Sequence, residues 1–261
     1  MSTTSDTELL AERDEGVLTL TLNRTASLNS LTPGVLDGIR EQVEGAADDD
    51  DVRCIVLAGA GRAFSSGAAL KGTSVEEFDP EPMLLEHYNP AILAMQKLEK
   101  PLLASINGIA AGAGASLTLA CDLRIWAHDA RMALLFTRIG LVPDAGATYI
   151  LPRLIGVARA TEMMMLGDDV HADQALQWGL ANRVVPADEL AAETRAFAER
   201  LASLPRSAGM VKRLLRKTMT LSLPEQLKFE ARMQDEAGKT ADFVEGIAAF
   251  TEKRPSSFSG K

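Results

Sequence analysis

An α/β fold that ends in a run of helices is predicted for this chain by three features. Two apolar strand-like segments, residues 53–57 and 101–106, each feed a glycine-rich loop, AGAGRAFSSGAAL and NGIAAGAGAS. Apolar residues then recur at helical spacing after the second loop, and from about Asp188 onward the pattern is helical throughout. Strands alternating with helices call for a sheet with helices packed against it, whereas a terminal helical block forms a region of its own. A length of 261 residues with 46% hydrophobic composition is enough to bury one sizeable core and carry a smaller appended region.

Taken in order, residues 17–22 alternate apolar side chains with Thr19 and Thr21, the pattern of a half-buried strand. A helix follows from about Thr32, which can cap it, with Pro33 suited to its first turn and Val35, Leu36, Ile39 and Val43 forming its apolar stripe. The acidic run 48–51 lacks the glycine and ligand spacing of a calcium loop and reads as a solvated turn before the strand at 53–57. Residues 73–88, interrupted by Pro80 and Pro82, read as irregular and give way to a helix over 90–98. Beyond the strand at 101–106 come an Asn107-Gly108 turn, the small-residue loop through Gly112-Ala113-Gly114, and a helix from about Ala115. A strand at 123–126 and a segment at 134–139 lead to the turn Val142-Pro143-Asp144-Ala145-Gly146 and a helix carrying Tyr149, Ile150 and Leu154. Helices over 158–166 and 172–178 and a short strand over 182–185 close the alternating part. In the helical region, residues 210–219 form an amphipathic helix with Lys212, Arg213, Arg216 and Lys217 on its solvated side.

A net charge of −9 argues against nonspecific binding to nucleic acid or anionic membranes, which needs a broad basic surface. Cys54, in a strand, and Cys121, in a helix, lack C-x-x-C spacing, so they read as buried reduced thiols of a cytoplasmic protein. The N-terminus has neither the basic nor the apolar part of a signal peptide, no apolar run reaches the length of a membrane span, and the chain reads as soluble and unprocessed. His87, His128 and His171 share no metal-ligand spacing and read as surface or structural, leaving no metal site. A glycine loop at a helix N-terminus presents unpaired N–H groups and can hold an anion. The dinucleotide fingerprint nevertheless fails in both loops, because Phe64 and Leu117 stand where its third glycine belongs. A phosphate loop is absent, and no nucleophile elbow surrounds Ser65, Ser66 or Ser116. Spacing alone leaves ordinary tight turns as an equal reading of these glycines.

The segments NRTASLNSLT (23–32), GAGRAFSSGAALK (59–71), INGIAAGAGASLTLACDLRI (106–125) and GLVPDAGATYILPRLIG (140–156) together resemble the enoyl-CoA hydratase/isomerase family, the crotonase superfamily. The likeness continues through GDDVHADQALQWGLANRVV (167–185) and EGIAAFTEKRPSSFSGK (245–261), so it covers nearly the whole chain in order. The VPDAG and AAGAGASL wording is similar to the branch containing 2-(1,2-epoxy-1,2-dihydrophenyl)acetyl-CoA isomerase. The resemblance implies a spiral of β-β-α turns over residues 1–195, for acyl-CoA binding and catalysis, and helices over 196–261 that assemble a homotrimer or a hexamer. It implies an acyl-CoA thioester as substrate, with coenzyme A part of that substrate and no separate cofactor.

Carried over residue by residue, the resemblance puts the two backbone donors to the thioester oxygen at Ala68 and Ala113. Loss of one such donor typically costs about 3 to 4 kcal/mol in the barrier. The two glutamates of a hydratase fall on Ser116 and Phe136, neither of which can move a proton as a carboxyl does. One carboxylate remains, Asp144, at the position of the acid/base aspartate in ring-opening and dienoyl-CoA isomerases. Its neighbours Val142, Pro143 and Ala145 carry no charge, and an apolar pocket raises a carboxyl pKa toward useful values. Without the resemblance, Asp144 reads as a cap of the following helix. Arg24, Ala69, Lys71 and Lys253 fall where the family contacts CoA. The expected activity is therefore acyl-CoA isomerisation, by a double-bond shift or the opening of a ring epoxide. The alternatives are hydration, aromatic substitution by Asp144 without an aligned histidine base, or acyl-CoA binding without catalysis.

Overall fold

Alternation of the side chains of β2, Val17–Leu22, buries Leu18, Leu20 and Leu22 and leaves Thr19 and Thr21 half-exposed. Pairing is antiparallel to β1, Leu9–Asp14, and parallel to β3, Cys54–Gly59. The sheet continues in parallel through β5, Leu102–Ile106, β7, Leu123–Ala127, and β10, Arg183–Val185, in the order β1-β2-β3-β5-β7-β10. Every residue of β5 is buried, as a parallel strand covered on both faces requires. A second sheet holds four short strands, β4 (Ala63–Ser65), β6 (Ile109–Ala111), β8 (Arg131–Ala133) and β9 (Val170–His171). Each of β3, β5 and β7 is followed by a partner in this second layer; α3 (Asn89–Lys97) and α4 (Ala113–Leu119) return the chain to the first, whereas α5 (Ala147–Ile155) leads through a further helix to β9 before the chain rejoins the first sheet at β10. The result is the spiral of β-β-α turns. The computed structural model describes residues 7–70, 74, 76 and 78–261; Lys71 and part of the 73–88 segment lie outside the described residues.

The helix before β3, α1 (Pro33–Ala47), begins as its sequence indicates, with Thr32 Oγ1 accepting from Val35 N at 3.2 Å and Val35, Leu36, Ile39 and Val43 buried. Each such side chain contributes roughly 1.5 to 3 kcal/mol on burial. The acidic run is a solvated turn, with Asp49 paired to Arg13 at 2.6 Å and Asp50 to Lys261 at 2.9 Å. Burial pushes the Cys54 and Cys121 thiols up to about 12, so both are inert. Cys121 lies just past α4 rather than inside it, and α4 starts at Ala113, two residues before the expected Ala115.

Residues 80–88 are helical, not irregular. A short helix α2, Pro80–Met83, runs into a π-helical turn, Leu84–Tyr88, and on into α3. Pro80 opens α2, where its missing N–H is no loss, so these prolines start the helix and do not break it.

After α6 (Val157–Leu166), α7 (Ala172–Trp178) and β10, helix α8, Leu190–Ala202, packs on β3, β5 and β7. Three helices follow: α9, Ser207–Thr218, α10, Leu223–Ala237, and α11, Ala241–Glu252. Lys212 departs from the solvated face expected of it, with its side chain only 9% exposed and its Nζ 2.8 Å from Asp122 Oδ2. It also donates to Met95 O at 3.2 Å and Lys100 O at 3.3 Å, while Asp122 Oδ2 accepts from Leu102 N at 2.8 Å. An ammonium on a long apolar stem reaches these acceptors across a face that helical periodicity marks as polar. Asp242, buried, accepts from Arg206 N, Ser259 N and Gly260 N and fastens the C-terminal tail beneath α9. Met233 is buried within the chain, but Val211, Leu215, Phe243, Ile247 and Phe250 remain exposed. Among the described residues no helix is long and apolar enough to cross a membrane.

Candidate active site

The loop after β4 is shaped by Ser65, whose hydroxyl donates to Asn29 O at 2.7 Å and accepts from Gly67 N at 3.2 Å. Asn29, itself buried, ties the loop after β2 to the first glycine loop, donating to Ala60 O at 2.9 Å and Ala63 O at 2.8 Å. The chain then runs beside Leu31: Leu31 N donates to Gly67 O, and Ala69 N donates to Leu31 O. This alternation turns the Ala68 N–H away from Leu31, and it has no partner among the described residues. Ala113 is the first residue of α4, so its N–H lacks an intrahelical acceptor. The two loops touch. A Cβ built on Gly67, at φ +91°, would stand 2.8 Å from Ala111 O and 3.3 Å from Ala113 N, so only glycine lets the backbones approach this closely. Gly114 is equally confined, since a Cβ there would meet Ser65 Cβ at 2.6 Å.

Asp144 sits in the turn before α5. Ala145 at φ 48° and Gly146 at φ 83° make that turn, and a non-glycine residue held in this region stores strain of about 1 to 3 kcal/mol. Gly146 occupies the N-cap position with no side-chain hydrogen bond, and Asp144 meets Ala147 N through its backbone oxygen at 3.0 Å. The carboxyl of Asp144 is therefore not a cap. Its Oδ1 is shielded from solvent without any hydrogen-bond partner, and burial raises its pKa to about 6. Helix α3 closes this side, where a Cβ on Gly146 would stand 3.6 Å from Ile92 Cγ2. The pKa of Tyr88, one turn before Ile92, is raised first by burial and then by the negative charge of the nearby Asp144 carboxylate. Helix α4, which bears Ala113, packs against α5, which follows the Asp144 turn.

Residues 12–261 match the family model described as "Enoyl-CoA hydratase/isomerase". The chain belongs to the crotonase superfamily. Among its crotonase relatives, "1,2-epoxyphenylacetyl-CoA isomerase" of Escherichia coli K12 is 39% identical, the match covering 97% of this chain and 98% of the relative. "Probable enoyl-CoA hydratase" of Rhodobacter capsulatus is 41% identical over 96% of this chain and 97% of its own length. The crystal structure of an enoyl-CoA hydratase from Bacillus anthracis superposes with a TM-score of 0.91 at 32% identity, covering 97% of this chain and all of that one.

Ser116, one of the two residues that the sequence resemblance matched to hydratase glutamates, is fully buried on α4, its hydroxyl turned back toward Gly112 O at 3.4 Å. Phe136 is also buried, and a Cβ on Gly112 would lie 4.0 Å from its ring. Of the residues expected near CoA, Arg24 has its guanidinium engaged by Glu8 and its backbone N–H held by Asn29 Oδ1 at 2.9 Å. Ala69 adjoins Ala68 and spends its N–H on Leu31. Lys253 is exposed at the C-cap of α11, far along the chain from the loops. His87 pairs with Asp37 at 3.0 Å and His128 lies 3.9 Å from Asp173, both structural contacts. Asn29 and Tyr88 escaped the sequence reading. For Asn29 the signal was available, an amide side chain within the family-like 23–32 segment. Tyr88 was obscured by the two prolines ahead of it.

Proposed function

We propose that this enzyme is a CoA-thioester isomerase in which Asp144 is the single acid/base and the N–H groups of Ala68 and Ala113 receive the thioester oxygen. In the double-bond shift, Asp144 takes a proton from C2 of a 3-enoyl thioester, the electron pair moves to the carbonyl oxygen, and the resulting enolate is held by the two N–H groups. Asp144 then returns the proton to C4 as the pair flows back, giving the 2-enoyl thioester with nothing gained or lost. The same two groups serve a ring-epoxide thioester, the type of substrate for which the E. coli relative is named.

One observation carries this reading: a shielded, unpartnered carboxyl raised to about 6 stands in the site while the two hydratase positions hold a buried serine and a buried phenylalanine. Hydration requires two carboxyls to share a water; a proton shift along the acyl chain requires one base. Coenzyme A enters as part of the substrate, with Arg24, Ala69, Lys71 and Lys253 as its contacts, and no further cofactor is needed. The exposed apolar face of α9 and α11 fits assembly into a homotrimer or a dimer of trimers, and the buried reduced cysteines fit the cytoplasm. The test is to supply purified protein with a 3-enoyl-CoA and, separately, a 2-enoyl-CoA. Double-bond migration without appearance of 3-hydroxyacyl-CoA is the expected result; hydration as the faster reaction would reject the proposal in favour of the hydratase reading.

A further inference from the structure

Tyr88 closes the π-helical turn Leu84–Tyr88 and sits one helical turn before Ile92, the residue lying against Gly146 of the acid/base turn. Residues four apart share a helix face, so the packing that brings Ile92 to Gly146 brings the Tyr88 ring to the same turn. The extra residue of a π turn rotates the side chains that precede it relative to those that follow, and such turns recur where a helix presents a functional group. Tyr88 is 5% exposed, yet its hydroxyl forms no hydrogen bond to any described residue. The hydroxyl is not among the polar atoms sealed from solvent without a partner, so the little surface that Tyr88 keeps includes it. Beside it, Asp144 Oδ1 is likewise unpartnered. Buried polar groups are nearly always satisfied, and one exception, Asp144 Oδ1, next to an accessible phenol hydroxyl that has no protein partner marks a place where a ligand supplies the missing partners.

A phenol and a carboxylate differ in what they seek there. The carboxylate accepts and is occupied by the migrating proton. The phenol O–H donates, and the CoA thioester oxygen already has its donors at Ala68 and Ala113. What remains for Tyr88 is an acceptor on the acyl group itself. We infer that Tyr88 is a specificity-determining residue whose phenol O–H, held beside Asp144, donates to an oxygen borne by the acyl group and so favours oxygen-bearing acyl groups over hydrocarbon ones. This rests on the proposal that the acyl group lies against Asp144, and it adds the chemical class of that group. A site built to pair with a substrate oxygen discriminates against the isostere lacking it, because its own polar group is then left unsatisfied.

The test uses binding and so needs no turnover. Methoxyphenylacetyl-CoA and ethylphenylacetyl-CoA are nearly isosteric, and the methoxy oxygen can only accept. Dissociation constants for each pair, substituted at the 2-, 3- or 4-position, are measured by calorimetry on the intact wild-type protein and on Tyr88→Phe, with melting curves as the folding control. Wild type should prefer methoxy at one ring position by about three- to tenfold, the range of one neutral hydrogen bond, and Tyr88→Phe should lose that preference while binding the ethyl compound as before. No preference at any position in wild type overturns the inference without recourse to the variant. So does a preference that survives in Tyr88→Phe, an equal weakening of both compounds, or failure of the arylacetyl thioesters to bind. Isomerase activity on a plain 3-enoyl-CoA is assayed separately, so its absence would reject the proposed reaction and leave the binding comparison readable.

Discussion

Around Ala68 the backbone is held by hydrogen bonds on every side: Ser65 fixes Gly67, Asn29 fixes Ala60 and Ala63, and Leu31 exchanges bonds with Gly67 and Ala69. Around Asp144 the opposite holds, with a carboxyl oxygen unpaired, a strained Ala145 beside it and apolar packing from Ile92. In the proposed reaction the difference follows from what each region has to do. An oxyanion is met by donors that must not move, and backbone donors are best fixed by saturating their neighbours. A proton carrier must be left unsatisfied, because each hydrogen bond to the carboxylate would pull its pKa back down. One region contributes geometry, and the other contributes reactivity.

Asp144→Asn breaks the reactive half alone. Turnover of a 3-enoyl-CoA should fall at least a hundredfold, toward the ten-thousandfold reached by essential general bases, with the CoA dissociation constant unchanged in a calorimetric titration. Gly67→Val breaks the geometric half, since its side chain would push against Ala111 O and the Ala113 N–H. Loss of the carbonyl contacts should cost about 3 kcal/mol or more in kcat/KM, with weaker binding of acyl-CoA as well, which distinguishes it from Asp144→Asn.

Smaller effects sharpen the contrast. In the proposed reaction Asp144 works as carboxylate, so kcat/KM should rise with pH through about 6 and level off above 7; a profile flat down to pH 4.5 would place the base elsewhere. The sign for stability is reversed. A carboxyl whose folded pKa lies above its unfolded value of 3.8 stabilises the fold fully only below about pH 4, and that contribution is lost as pH rises through about 6. Asp144→Asn should therefore be more stable than wild type at pH 7.5 by about 1 to 2 kcal/mol, allowing for partial solvation of the carboxyl, and equal to it near pH 4 by denaturant titration. Least of all, Ser116→Ala should change turnover by less than about twofold, because its hydroxyl makes only a long bond within its own helix.

How far this was legible in the chain depends on segment length and on partner distance. Helix α1 was readable from Thr32, Pro33 and its stripe, and β2 from strict alternation, because those signals are local and several residues long. The strands β4, β6 and β8 have three residues each, too few for a period of two to register, although the whole second layer rests on them. Ala68, Ala113 and Asp144 came from motif resemblance; the contact between Gly67 and Ala113, the shielding of Asp144 Oδ1 and the approach of Tyr88 depend on residues over thirty positions apart and have no local signature. Lys212 misled for the same reason, since periodicity sees charge but not the acceptors waiting across the interface.

That lysine also says what kind of joint attaches α9 to the spiral. Its ammonium is shielded and shared among Asp122, Met95 O and Lys100 O, and Asp122 in turn holds the first N–H of β5. Counter-ions cannot reach a charge so enclosed, whereas pairs such as Arg195 with Asp14 stand open to them. Rising ionic strength will thus strip the surface pairs while leaving this one intact, and α9 will ride with the strand that feeds the second glycine loop as a rigid extension of it, a weld where a hinge would have let the C-terminal helices swing free.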